Sequence, residues 1–178
     1  MKKTILILLI LCLFINANAQ QRAARSKISV GGAFAFPTGP SAKTFERGYG
    51  GSVAGEYHLK GNFNLAASAG FLQLRYRDDA KARLETAGEK LEQNAVIPIK
   101  TGGRYYFGEI YYADLQAGIA FTTGENGYTS FTYAPGAGAV IPISKFSGLD
   151  FGLRYENWLR KEKTISFFGL RVAVTFAL

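Results

Sequence analysis

From residue 27 to the last residue, the chain alternates large apolar side chains with small or polar ones in eight successive segments. Side chains in a strand point to opposite faces in turn, so this period of two calls for strands with one apolar face each. The segments cover 27–36, 50–59, 63–76, 95–107, 110–121, 131–141, 148–155 and 165–178. In the first, Ile28, Val30, Phe34 and Phe36 oppose Ser29, Gly31, Ala33 and Ala35. In the last, Phe168, Leu170, Val172, Val174, Phe176 and Leu178 oppose Gly169, Arg171, Ala173 and Thr175. The connections alternate between long and short. Lys60-Gly61-Asn62, Gly108-Glu109 and 142–147 are short; a polar stretch up to Arg47, a charged one at 77–94, a polar one at 122–130 and a basic one at 157–163 are long.

Two segments depart from simple alternation. In 63–76 the apolar parity passes from Phe63, Leu65, Ala67, Ala69 and Phe71 to Leu72, Leu74 and Tyr76, which predicts a β-bulge near Phe71-Leu72. Pro98 and Pro135 each remove a ladder donor, which predicts strand ends or bulges at those points. Within 77–94, residues 82–91 read equally as a helical turn or two and as disorder.

The chain opens with Lys2 and Lys3, an apolar stretch from Ile5 to Ile15, and the small-x-small site Ala17-Asn18-Ala19. This is the pattern of a secretory signal peptide, giving residues 1–19 as a cleaved leader and 20–178 as a single barrel domain. The apolar stretch is too short for a spanning helix, which needs about 18 residues or more. Cys12 does not read as a lipidation site, because Leu11 is bulky and Leu13, Phe14 and Ile15 continue the apolar run. Cys12 is the only cysteine, so cleavage would exclude disulfides, thiolate metal sites and thiol nucleophiles together.

Export combined with closed alternation points to an all-β fold, an eight-stranded antiparallel up-and-down transmembrane β-barrel in a bacterial outer membrane. The two faces support this over a soluble barrel. Opposite the large apolar residues stand mostly Gly, Ala and Ser, punctuated by Glu56, Lys100, Arg104, Asp114, Asp150, Arg154, Glu156 and Arg171. That face is a poor solvent surface and a good narrow lumen, because eight strands leave an interior only wide enough for side chains to fill. Four acids and four bases pair to neutrality, as buried ions must. This predicts a structural charge network that plugs the lumen. Long connections then face outward and short turns and both termini face the periplasm. Aromatics near strand ends, among them Phe34, Phe36, Tyr105, Tyr106, Phe107, Tyr111, Tyr112, Phe131, Tyr133, Tyr155 and Trp158, fit interfacial girdles.

The net charge of +8 suggests anionic lipid head groups and lipopolysaccharide phosphates as partners, and export argues against nucleic acid. Arg160, Lys161 and Lys163, in a predicted outer connection, are candidate lipopolysaccharide contacts or a solvated loop. His58 is the only histidine, falls near a short turn and has no His-x-Ser arrangement beside it. It therefore reads as a lumen or rim residue rather than a general base. No catalytic residue, metal site or cofactor site is expected.

Gly31-Gly32-Ala33-Phe34-Ala35-Phe36-Pro37-Thr38-Gly39 and Gly48-Tyr49-Gly50-Gly51 carry a family likeness. So do Ala69-Gly70-Phe71, Gly102-Gly103-Arg104-Tyr105-Tyr106-Phe107 and Gly169-Leu170-Arg171-Val172. Through these the chain resembles the small outer-membrane β-barrel domain proteins of the Bacteroidetes type, related to OmpX-like and PorT-like barrels. The resemblance implies assembly by the barrel-insertion machinery and a non-enzymatic structural or surface-interaction role. It leaves open a lipid-modifying barrel enzyme, a narrow pore or an accessory subunit of a secretion system. It names no protein partner.

Overall fold

The computed structural model describes residues 25–86, 95–124, 127–160 and 164–178. The leader at 1–19 lies outside the described residues. Eight strands close into one barrel: β1 (Lys27–Pro37), β2 (Phe45–Lys60), β3 (Phe63–Tyr76), β4 (Ala95–Phe107), β5 (Tyr111–Thr122), β6 (Thr129–Pro142), β7 (Ser147–Leu159) and β8 (Thr164–Ala177). Every neighbouring pair is antiparallel, and β1 with β8 closes the ring from Lys27↔Ala177 to Pro37↔Phe167. Closure leaves no free sheet edge. Among the described residues, no helix is long and apolar enough to cross a membrane.

The three short turns and the outer ends of β1 and β8 share one rim, the turn end; the four longer connections share the other, the loop end. Gly61 and Gly108 take φ of 58° and 71°, a left-handed conformation that glycine adopts without strain. At the loop end, a 3-10 helix at Gly39–Lys43 braces the closing seam: Ser41 Oγ accepts from Ser166 N at 3.0 Å, and Thr38 N donates to Ser166 O at 2.9 Å. A short helix α1 (Asp78–Thr86) follows β3. It begins four residues before the stretch read as helix or disorder, and the rest of that stretch, 87–91, lies outside the described residues.

The outer wall is apolar and the inside is charged. Leu115 is 59% exposed on the outer face, whereas Arg104 is 2% exposed inside. Ile28, Val30, Val53, Leu65, Ile99, Ile119, Leu153, Leu170 and Val174 also point outward.

Several expected placements are corrected. No bulge occurs at Phe71-Leu72: the β2–β3 register runs unbroken there, and its irregularities lie at Phe45/Arg47 and His58/Lys60. Leu72 and Leu74 keep the parity of the strand and point inward, buried. Tyr106, Tyr112 and Trp158 also face the interior, so they belong to no outer girdle. β7 runs on to Leu159, which takes Trp158 out of the basic connection. β2 begins at Phe45 and absorbs part of the polar connection before it. Pro98 and Pro135 sit within continuous strands without bulges. Each is paired on one side, Pro98 with Ala120 and Pro135 with Leu115. On the other side the ladder lapses, between Ala69↔Ile99 and Leu72↔Val96 and between Tyr133↔Asn157 and Gly136↔Arg154. A missing N–H interrupts the ladder at these two points without changing register.

Candidate functional site: the barrel interior and its rims

Parity within each strand delivers the eight anticipated charges to the interior, and glycines leave them room. A Cβ on Gly136 would stand 2.5 Å from Arg154 Cγ and 2.7 Å from Asp114 Oδ1, so only glycine fits beside that pair. Arg104 is the hub. Its Nη1 donates to Glu56 Oε1 at 2.6 Å, its Nη2 donates to Asp114 Oδ2 at 2.8 Å, and Asp150 Oδ2 lies 3.5 Å from Nη1. Its guanidinium lies 3.6 Å from the Tyr112 ring centroid, a cation–π contact. Arg154 Nη2 reaches the same Asp114 Oδ2 at 2.9 Å. Arg171 donates to Asp150 Oδ2 at 3.0 Å, Ser29 Oγ at 2.9 Å and Ser52 Oγ at 2.8 Å, which joins β7, β8, β1 and β2. Lys100 donates to Glu156 Oε2, and Trp158 Nε1 donates to Glu156 Oε1 at 2.8 Å.

All eight side chains thus meet partners of opposite charge, and neutral donors fill much of what remains. Tyr112 Oη donates to Asp150 Oδ1 at 2.6 Å, and Glu56 Oε2 accepts from Tyr106 Oη at 2.8 Å and Asn64 Nδ2 at 3.1 Å. Ion pairs removed from water are tolerated only with such satisfaction, since desolvation costs several kcal/mol per ion. Among the described residues, Asp114 Oδ1, on the side of Gly136, has no hydrogen-bond partner.

The interior is layered. Charged groups occupy the turn half and the middle, and Ser130, Thr132 and Asn157 are buried nearer the loop end. The loop end is sealed by an apolar cluster of Ala35, Leu72, Leu74, Val96, Ala120, Trp158 and Phe167. Trp158 and Phe167 pack edge to face with centroids 5.0 Å apart. Sequence parity alone carried the signal for this cap, because Leu72 and Leu74 fall in register with Ala66 and Asn64, which also face inward. Sequence reasoning also missed a fifth interior base. Lys27 is 8% exposed, donates to Tyr106 Oη at 3.0 Å and lies 4.2 Å from that ring's centroid.

Of the anticipated rim contacts, Arg160 is exposed at the loop end with its guanidinium 4.0 Å from the Tyr128 ring centroid. Lys161 and Lys163 lie outside the described residues. His58 is near the turn end, half-buried, with Nδ1 3.1 Å from Asn64 Oδ1. No serine hydroxyl or carboxylate oxygen is within hydrogen-bonding distance of its ring among the described residues. Nor do three or more His, Cys, Asp or Glu side chains group as a metal site among those residues.

No family model matches the chain, and no curated protein does. Solved structures do. Neisserial surface protein A (NspA) is 14% identical over 86% of this chain and 97% of its own, with a TM-score of 0.62. Ail, the attachment invasion locus protein of Yersinia pestis, is 12% identical over 87% of this chain and 99% of its own, with a TM-score of 0.58. Ail in complex with the heparin analogue sucrose octasulfate superposes at 0.55, with 15% identity over 86% of this chain and 98% of its own. At such identities the likeness is one of fold: the chain has the closed, eight-stranded, all-antiparallel architecture of these small outer-membrane barrels.

Proposed function

We propose that this chain is an exported, non-enzymatic outer-membrane protein of the Bacteroidetes type that acts through its loop-end surface, its lumen serving as a structural plug. The observation that carries the reading is the inverted polarity of the wall. Large apolar residues cover the outside of a closed barrel, while charges are buried inside in pairs. Such a surface is stable against hydrocarbon and unstable in water. The leader at 1–19 supplies export, and the barrel-insertion machinery completes assembly. Filling of the interior by the Arg104 network and the apolar cap supports a plug over a pore. The setting of His58, beside an amide at the turn end, supports a structural role over catalysis in the outer leaflet.

Arg160, at the loop end, and Lys161 and Lys163, which follow it in sequence, make a basic stretch suited to lipopolysaccharide phosphates. The polysulfated compound bound by Ail is a ligand of the same chemical kind on a related fold. Lipopolysaccharide binding by the refolded barrel tests this directly. The triple variant Arg160→Gln, Lys161→Gln, Lys163→Gln is expected to bind at least tenfold more weakly. Equal affinity would remove the basic stretch from the reading. N-terminal sequencing of protein from outer-membrane fractions tests the leader, with Gln20 expected first.

A further inference from the structure

At the turn end, opposite the rim just discussed, the mouth of the barrel holds a cavity of about 390 Å³. Three cations line it, Arg25, Lys27 and Lys145, against one carboxylate, Glu109. The turn that forms one wall is fixed: Ser144 Oγ accepts from Phe146 N at 3.3 Å and Ser147 N at 3.1 Å, and Ile143 N donates to Ser147 O at 3.0 Å. Ala177 N donates to Phe146 O at 2.8 Å, tying that turn to the end of β8. Phe146 stands between two of the cations, with Arg25 at 5.9 Å and Lys145 at 5.6 Å from its ring centroid. The third cation differs in kind. Lys27 is more than nine-tenths buried and forms no ion pair among the described residues; its single hydrogen bond goes to Tyr106 Oη. An ammonium has three protons to donate, and the carboxylate that acts on it, Glu56, meets it only through Tyr106 Oη, so among the described residues two of the three have no acceptor.

We propose that this mouth binds a phosphate-bearing anion, with Lys27 beneath it and Arg25 and Lys145 at its sides. Two more cations than carboxylates match a dianion better than a single carboxylate group, and charge-assisted hydrogen bonds to its oxygens would use the free protons of Lys27. The volume exceeds that of the anion alone, so an ester is the fitting form. A free phosphomonoester carries both charges; a phosphodiester head group from the surrounding leaflet offers the same phosphoryl oxygens with one charge, and the two sources are separated by the test below. The inference is independent of the loop-end reading, since each rim is altered and measured separately.

The test uses the full mature chain refolded in a sugar-based detergent, which carries no phosphate, with sn-glycerol 3-phosphate as the probe and amide NMR as the readout. Saturable shifts are expected at residues 144–148 and 175–177. Affinity should fall about tenfold or more in Lys145→Gln and in Lys27→Met, a loss of about 1.4 kcal/mol or more. Lys145 is on an exposed turn, so its variant reports even if Lys27→Met fails to fold. Acetate should bind more weakly than the phosphate ester. In lipid nanodiscs, bound-state shifts with phosphatidylglycerol alone identify a head group; shifts that appear only on adding the ester identify a free ligand. Absence of saturation, unchanged affinity in both variants, equal binding of acetate, or shifts confined to the loop end would each overturn the proposal.

Discussion

Arg104 ties Glu56, Asp114 and Asp150 together, and the last two each serve a second base as well, so the interior depends on a few shared carboxylates. Asp114 is the clearest case, because one of its oxygens accepts from both Arg104 and Arg154. Asp114→Asn leaves two buried guanidiniums short of charge. It should lower unfolding free energy by about 3–5 kcal/mol, the usual cost of breaking a buried pair from one side. Urea titration of the refolded protein, followed by fluorescence of Trp158, the only tryptophan, measures this. Gly136→Ala drives a methyl into the same pair and should cost about 1–3 kcal/mol by the same assay. The inward direction of these charges was legible from parity, since a strand's period of two leaves no choice of face. Their partners were not. Arg104 and Glu56 are 48 residues apart, and Arg154 and Asp114 are 40 apart; only the stagger between strands decides which side chains share a layer.

Among the strands, β3 shows where reading by composition fails. Leu72 and Leu74 resemble outward residues, yet the register carries them inside to meet Val96, Trp158 and Phe167. A polar lumen was expected along its whole length, so a bulge was the natural inference. An apolar cap satisfies the same sequence without one. Leu72→Ala should therefore cost about 2–5 kcal/mol, as for a packed core leucine. Leu115→Ala, on the outer wall, should cost much less. Similar losses at the two positions would count against the cap. The prolines were legible as ladder breakers, but their mid-strand placement was not. Pro98→Ala restores a donor beside the lapse in the β3–β4 ladder. Amide exchange at Gly70 and Phe71 should slow. Net stability should move by less than about 1 kcal/mol, because a gained hydrogen bond is opposed by a more flexible unfolded chain.

For the molecule as a whole, alternation of long and short connections sufficed to predict closure into eight strands, because each hairpin pairs neighbours and only the first and last strands remain to meet. A barrel of this kind should migrate differently in gels before and after boiling. Its filled interior should give no discrete conductance in planar bilayers; steady single-channel steps would refute the plug. Leu115→Arg should destabilise the protein in bilayers by about 2–4 kcal/mol if that position lies near mid-membrane. The guanidinium of Arg171 has a further implication for how such a cylinder is made. It rides on the eighth strand yet grips hydroxyls on the first two and a carboxylate on the seventh. An unclosed, curling sheet keeps the carboxylate of its hairpin neighbour but strands the donors meant for the two hydroxyls, so the fastener and the flap arrive together, and a half-zipped intermediate gains little by lingering.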